Sequence, residues 1–210
     1  MTHNKHIIKQ GEYLSKLAAE CGLGNYSSIW CCSENTNLKA KRDNPNVLYP
    51  GDEIIIPEIN TKQESVSTDQ RHGFRVLGQV IKLRLQIKDT EIRPIANTEC
   101  QLSIGFKTYQ LKTDDEGKIE TSISSKATRG ELTIQDMVFP LLIGYLDPVD
   151  ELSGWIARLN NLGYDAGNPD SHDEMQVRSA VEEFQCDYGL KVDGICGPNT
   201  KKKLEEVFGC

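Results

Sequence analysis

The spacing of apolar residues divides this chain into three stretches. In the first, Ile7 and Ile8 suggest a short strand over residues 6–9, and Gly11 turns the chain. Leu14, Leu17, Ala18 and Cys21 then recur at helical spacing. Gly22 and Gly24 are expected to end that helix, and Ser27 or Ser28 to cap a second one carrying Ile29 and Trp30. Residues 38–42 add a helical turn before Asn44-Pro45 breaks it. A Pro50-Gly51 turn feeds an apolar strand over 53–56, stopped by Pro57.

Residues 59–72 are polar and aperiodic, which reads as a linker with His72 on its surface. The period then becomes two. Ile81, Leu83, Leu85 and Ile87 alternate with polar residues, as do Cys100, Leu102 and Ile104. Ile119 with Ile123 and Leu132 with Ile134 mark two further strands. The turn Asp114-Asp115-Glu116-Gly117 reads as a hairpin signal, and lacks the ligand spacing of a calcium loop. The apolar run 139–146 forms a last strand or packs between units.

From residue 151 the period is 3.6. Leu152, Trp155, Ile156, Leu159 and Leu162 share one face, ended by Gly163. Ser171 and Glu174 have the spacing of a capping box, ahead of Val177, Ala180, Val181, Phe184 and Tyr188. Pro198 opens a third helix with Leu204, Val207 and Phe208 inward. Both tryptophans, Trp30 and Trp155, are assigned to core. The expected architecture is α+β and multidomain. A small helix-and-strand unit over 1–58 is followed by the linker 59–72. An antiparallel β-sandwich over 73–146 and a three-helix bundle over 147–210 complete it.

Net charge narrows the partners. The chain has 210 residues and a net charge of −7, most of it in the last sixty residues. The basic run Lys201-Lys202-Lys203 is followed at once by Glu205-Glu206, so no basic face is available for nucleic acid. No apolar run nears the ~20 residues of a membrane span, and no signal-peptide pattern opens the chain. Seven cysteines without a CxxC pair suit reduced thiols. The expectation is a cytoplasmic protein, or one that leaves by a route needing no cleaved signal.

Residues Ile8, Gly11, Glu12, Tyr13 and Leu14, read with Val47-Leu48-Tyr49-Pro50-Gly51-Asp52, resemble a LysM module, a βααβ fold known for binding peptidoglycan glycan. Tyr13 stands where that family usually has a helix-capping threonine. The loss is expected to cost ~1 kcal/mol unless Glu12 or Ser15 compensates. The long insert over 33–46, with Lys41-Arg42 and Asn44-Pro45-Asn46, resembles a LysM subtype of contractile-tail and type VI secretion clusters. There such a fold serves as a protein clamp. The resemblance implies a groove formed by Gly11, Glu12, Tyr13, Leu14, Asn46, Val47, Leu48, Tyr49 and Gly51, taking either glycan or protein. Tyr13 and Tyr49 either stack on sugar or fill a small core. The middle stretch resembles carboxypeptidase-regulatory-like, transthyretin-like domains by layout, which are spacers or protein-contact surfaces.

At the other end, Leu159-x-x-Leu162-Gly163-Tyr164 leads to Ala180-Val181-x-x-Phe184-Gln185. Gly189-Leu190-x-Val192-Asp193-Gly194-Ile195-x-Gly197-Pro198-x-Thr200-x-x-x-Leu204 follows. This run resembles peptidoglycan-binding domain 1. The resemblance implies a ligand surface at Tyr164, Gln185, Asp193, Gly194, Gly197 and Thr200. The loop 168–173 departs from the family's usual Asp-Gly turn. Asp193 and Thr200 are expected to hydrogen-bond across the turn made by Gly194 and Gly197.

Catalytic chemistry is not expected. The chain has no Ser-x-Gly-Cys run, no P-loop and no G-x-S-x-G. The histidines at 3, 6, 72 and 172 fall in the tail, linker and loop rather than at metal-ligand spacing. No catalytic residue, metal or cofactor is assigned. The expected function is a non-catalytic, peptidoglycan-binding accessory of a type VI or other contractile secretion machine, as adaptor, chaperone or carrier for a spike or effector protein. A plain cell-wall binder and an unrecognised wall hydrolase are the alternatives.

Overall fold

The computed structural model describes residues 4–58, 65, 67–71, 73 and 80–210. Most of the expected linker over 59–72, with His72, lies outside the described residues, as do residues 74–79 of the β stretch.

The N-terminal lobe is closed by two antiparallel strands, β1 (Asn4–Ile7) and β2 (Glu53–Ile56), with Ile7 opposite Glu53. Between them run α1 (Leu14–Glu20), α2 (Ser27–Trp30), a 3-10 turn over Ser33–Asn35 and α3 (Thr36–Lys41). The periodic residues Leu14, Leu17 and Ala18 are buried with Ile8, Ile29, Leu38, Leu48 and Ile54 in one core. Helix α2 is not capped by Ser27 or Ser28. The Asn25 side chain accepts from the Ser27 N–H, and Tyr26 occupies the cap position.

Two polar side chains the sequence left unassigned tie this lobe together. Buried Asn35 donates to the carbonyls of Ile29 and Ile55 and accepts from the Ile55 N–H, so one amide fixes β2 to the helices. Asp52 accepts from Arg42 Nε at 2.8 Å, from Lys41 Nζ at 2.8 Å and from the Tyr49 N–H at 3.0 Å. Burial by itself raises the Asp52 pKa, but these donors outweigh it and hold the carboxyl below its ordinary value.

The middle unit has two antiparallel sheets. One pairs β3 (Val80–Gln86) with β6 (Lys118–Ser124). The other contains β4 (Glu99–Ile104), β5 (Lys107–Lys112), β7 (Arg129–Ile134) and β8 (Met137–Leu142) in the order β5-β4-β7-β8. Inward residues of both sheets, Ile119 and Ile123 from one and Cys100, Leu102, Leu132 and Ile134 from the other, form a single core. The acidic turn at 114–117 is therefore not a hairpin: it carries the chain from β5 in one sheet to β6 in the other. Asp114 still shapes it, accepting from the N–H groups of Glu116 and Lys118.

The C-terminal unit contains α4 (Leu152–Leu162), α5 (Glu174–Asp187) and α6 (Pro198–Phe208). Ile156, Leu159, Val177, Val181, Phe184 and Leu204 share its core, with Phe184 edge-on to Tyr164 at 5.5 Å. Leu152, expected on the buried face, is exposed at the first turn. Helix α5 is capped by Asp173, whose carboxylate accepts from the Met175 N–H, so Ser171 is not its cap. Among the described residues the chain is α+β, with six α-helices and antiparallel sheets, and none of its helices is long and apolar enough to cross a membrane.

Candidate functional site

The expected N-terminal groove residues divide into two sets. Gly11, Tyr13, Leu14, Val47 and Leu48 are buried, while Asn46 and Gly51 are exposed and Glu12 and Tyr49 lie between. Leu14 and Leu48 are buried for an ordinary reason, since they sit in the lobe's core. Gly11 and Tyr13 are buried because another part of the chain covers them. The Tyr13 hydroxyl lies 2.8 Å from the Ser125 carbonyl oxygen and 2.7 Å from that of Ala127, both in the turn between β6 and β7. Its single proton serves one of the two at a time. Burial first, and the Glu20 carboxylate second, push the Tyr13 phenol up to about 12.

Tyr13 also occupies the cap position of α1 without capping it through its side chain. Glu12 does not replace the missing cap: its carboxylate accepts from the Lys9 N–H and meets His6 Nε2 at 2.7 Å. The segment after β8 completes the covering. An added Cβ at Gly144 would fall 2.2 Å from Tyr13 Cδ1, and one at Gly11 would fall 2.8 Å from Tyr145 Cε2. Gln10 Nε2 donates to the Tyr145 carbonyl at 3.2 Å.

Tyr49 and Pro50 border an open cleft of about 390 Å³ whose far wall, formed by Asp147, Glu151, Leu152 and Ser153, belongs to the start of the C-terminal unit. Asp147 accepts from Ser153 Oγ at 2.6 Å, and Glu151 lies 3.8 Å from the Arg42 guanidinium. Arg42 thus faces Asp52 inside its own lobe and Glu151 across the cleft.

At the other end, the expected ligand residues converge on one buried amide. Gln185 Oε1 accepts from the backbone N–H groups of Asp193 at 2.9 Å and Gly194 at 3.0 Å. Its Nε2 faces three acceptors: Asp193 Oδ1 at 3.0 Å, the Ile195 carbonyl at 3.0 Å and Thr200 Oγ1 at 3.1 Å. Asp193 and Thr200 meet through Gln185 rather than directly. The Gln185 amide, followed by the Ile195 N–H, holds the Asp193 carboxyl below its usual range. Gly194, at φ +68, allows the chain to fold over that amide. The loop turns Val192 and Ile195 outward, and both are more than half exposed. Tyr164 points inward, its hydroxyl donating to Asp187 Oδ2 at 2.8 Å; burial, then that carboxylate, raise its pKa.

Residues 157–204 match the family model described as a putative peptidoglycan binding domain. The matched segment takes in the second half of α4, all of α5, the Gln185-held loop and the larger part of α6. Over 55 residues the chain is 42% identical to a protein named N-acetylmuramoyl-L-alanine amidase CwlM, from Mycobacterium tuberculosis (strain ATCC 25618 / H37Rv). That stretch is 26% of this chain and 14% of the mycobacterial protein, so the likeness is one of a segment. No solved structure matches the chain. Both comparisons therefore fall on the C-terminal unit, the part of the chain that is similar to peptidoglycan-binding domains.

One residue of this unit escaped the sequence reading. Arg158 sits on α4 and is 1% exposed, the largest fully buried side chain among the described residues. Its guanidinium donates to the carbonyl oxygens of Asp147, Gly154 and Cys210, all at 2.8 Å. A single charged residue on a helix gives no periodic signal, which is why pattern alone passes over it.

Proposed function

We propose that this chain is a non-catalytic accessory protein that reaches peptidoglycan through its C-terminal module and uses its other two units for protein contact. The observation that carries this is the Gln185 hub. It fixes the loop over 191–197 from behind and turns Val192 and Ile195 outward beside two glycines, a shallow and rigid face suited to a polymer. The carbohydrate ring faces of peptidoglycan are apolar enough to lie on such residues. A rigid loop also avoids the entropy of ordering on binding.

The non-catalytic reading rests on the absence of a recognised engine in the sequence and on the engagement of the cleft carboxylates. Asp147 and Glu151 already face Ser153 and Arg42. The finer role is that of adaptor, chaperone or carrier within a type VI or similar contractile secretion machine, with a spike or effector protein as second partner. The LysM-like and transthyretin-like resemblances support it, together with the N-terminal lobe's inward-facing Tyr13, which suits a protein clamp better than an open sugar groove.

Co-sedimentation with purified sacculi tests wall binding: the full chain is expected in the pellet, and complete recovery in the supernatant refutes it. Release of label from dyed peptidoglycan tests the non-catalytic claim, which any turnover abolished by Asp147→Asn or Glu151→Gln would overturn. Affinity capture against candidate spike and effector proteins tests the adaptor role, and absence of any complex removes it.

A further inference from the structure

We propose that the groove of the N-terminal lobe is latched shut in cis, with Tyr13 as the bolt and the turn at 125–127 and Gly144-Tyr145 as the catch. Four contacts converge there. The Tyr13 hydroxyl reaches the carbonyl oxygens of Ser125 and Ala127, more than a hundred residues away in the chain. The ring lies against Gly144, leaving no room for a β-carbon. Gly11 lies against the Tyr145 ring with the same lack of space, and Gln10 holds the Tyr145 carbonyl. Tyr13 is left 4% exposed and Gly11 buried.

The geometry has a direct consequence for access. A sugar ring stacking on Tyr13 would need the space filled by Gly144, and one lying over Gly11 the space filled by the Tyr145 ring. Any glycan stacking on the Tyr13 ring must first withdraw the phenol from the Ser125 and Ala127 carbonyls. The latch also sets the spacing of the lobes. Chain length over 59–72 does not fix the distance between the ends of the molecule while Tyr13 is docked. The two end lobes then do not act as independently tethered binders, whose gain in avidity depends on linker reach. None of this rests on wall binding by the C-terminal module.

The test uses the full chain, as wild type and as Tyr13→Phe and Gly144→Ala. Tyr13→Phe removes only the hydroxyl and keeps the ring, so it leaves the lobe's fold intact. Amide exchange is read at Ala127, which donates to Ser124, and at Ile143, which donates to Thr128. The latch predicts that both exchange about tenfold faster or more in each variant, with helical circular dichroism unchanged and the radius of gyration increased. It also predicts that chitopentaose leaves the Gly11 and Leu14 resonances of the wild type unmoved. Unchanged exchange and radius in Tyr13→Phe overturn the proposal. So do wild-type shifts at Gly11 and Leu14 on adding the sugar. Sacculus binding by all three proteins is measured alongside, so that failure of the latch and failure of wall binding register separately.

Discussion

The ring of Tyr13 and the α-carbon of Gly144 are packed so closely that a methyl group on Gly144 would fall 2.2 Å from Cδ1 of the ring. The two residues belong to different units of the molecule, and glycine is the residue that lets them meet. Gly51 supplies a control: its φ of +97 is as demanding as the +81 of Gly144, but nothing lies within 4 Å of its added β-carbon. Alanine at both positions incurs backbone strain, and only Gly144→Ala adds a clash. Urea unfolding is expected to show Gly144→Ala ~1–3 kcal/mol less stable than Gly51→Ala.

Tyr13→Phe leaves two carbonyl oxygens in a buried turn without their phenol donor. The expected loss is ~1–3 kcal/mol in chemical denaturation. Alkaline pH should act through the same group. The folded phenol is raised from 10.0 to about 12, so its contribution is complete below about pH 10 and disappears as pH rises from there to about 12. Stability measured across that window should fall less in Tyr13→Phe than in wild type.

Gly154 carries a prediction opposite in sign to helix propensity. In an exposed helix Gly→Ala stabilises by ~1 kcal/mol. Here the added β-carbon would lie 1.9 Å from the Pro148 carbonyl oxygen and 2.7 Å from that of Asp147. Neither can yield easily, since Arg158 holds the Asp147 carbonyl and the Glu151 N–H holds that of Pro148. Gly154→Ala is expected to destabilise by ~1–3 kcal/mol, seen as a lowered thermal midpoint.

Asp52 and Arg42 form the buried ion pair of the N-terminal lobe, with both side chains at most 5% exposed. Asp52→Asn leaves the guanidinium inside with its main partner uncharged, at an expected cost of ~3–5 kcal/mol. The acid limb follows. Because the folded carboxyl is held below the ordinary aspartate value, its contribution is present above about pH 4 and is lost as pH falls through the folded value. The acid transition of wild type should be steeper than that of Asp52→Asn.

Sequence periodicity located the strands and helices well because their buried faces are regular. The pairs Ile81/Leu83 and Leu102/Ile104, and the run Val177 to Phe184, all point inward at the expected spacing. The capping boundaries were less legible. Asn25 and Asp173 do work assigned to neighbouring serines, since several residues with short polar side chains compete near each helix start. The acidic turn at 114–117 has hairpin composition but joins two sheets, and turn chemistry fixes local geometry without choosing a partner strand. In the candidate sites, the sequence picked out Gln185, Asp193, Gly194 and Thr200 together but could not show that Gln185 is their hub. It left Tyr13 open between sugar contact and core, because its packing partners, Ser125, Ala127 and Gly144, are over a hundred residues distant.

Gln185 is where the account of the wall-binding face concentrates. Gln185→Ala removes the acceptor for two backbone N–H groups and the donor to three oxygens, with an expected loss of ~2–4 kcal/mol. The most direct measurement is a titration of the labelled full chain with soluble peptidoglycan fragments, read residue by residue. Shifts concentrated over 191–200 in the wild type and weakened in a Val192→Asp, Ile195→Asp double variant that keeps its fold are the predicted result. Shifts centred instead on Tyr49 and Glu151, or none at all from a folded wild type, would contradict it.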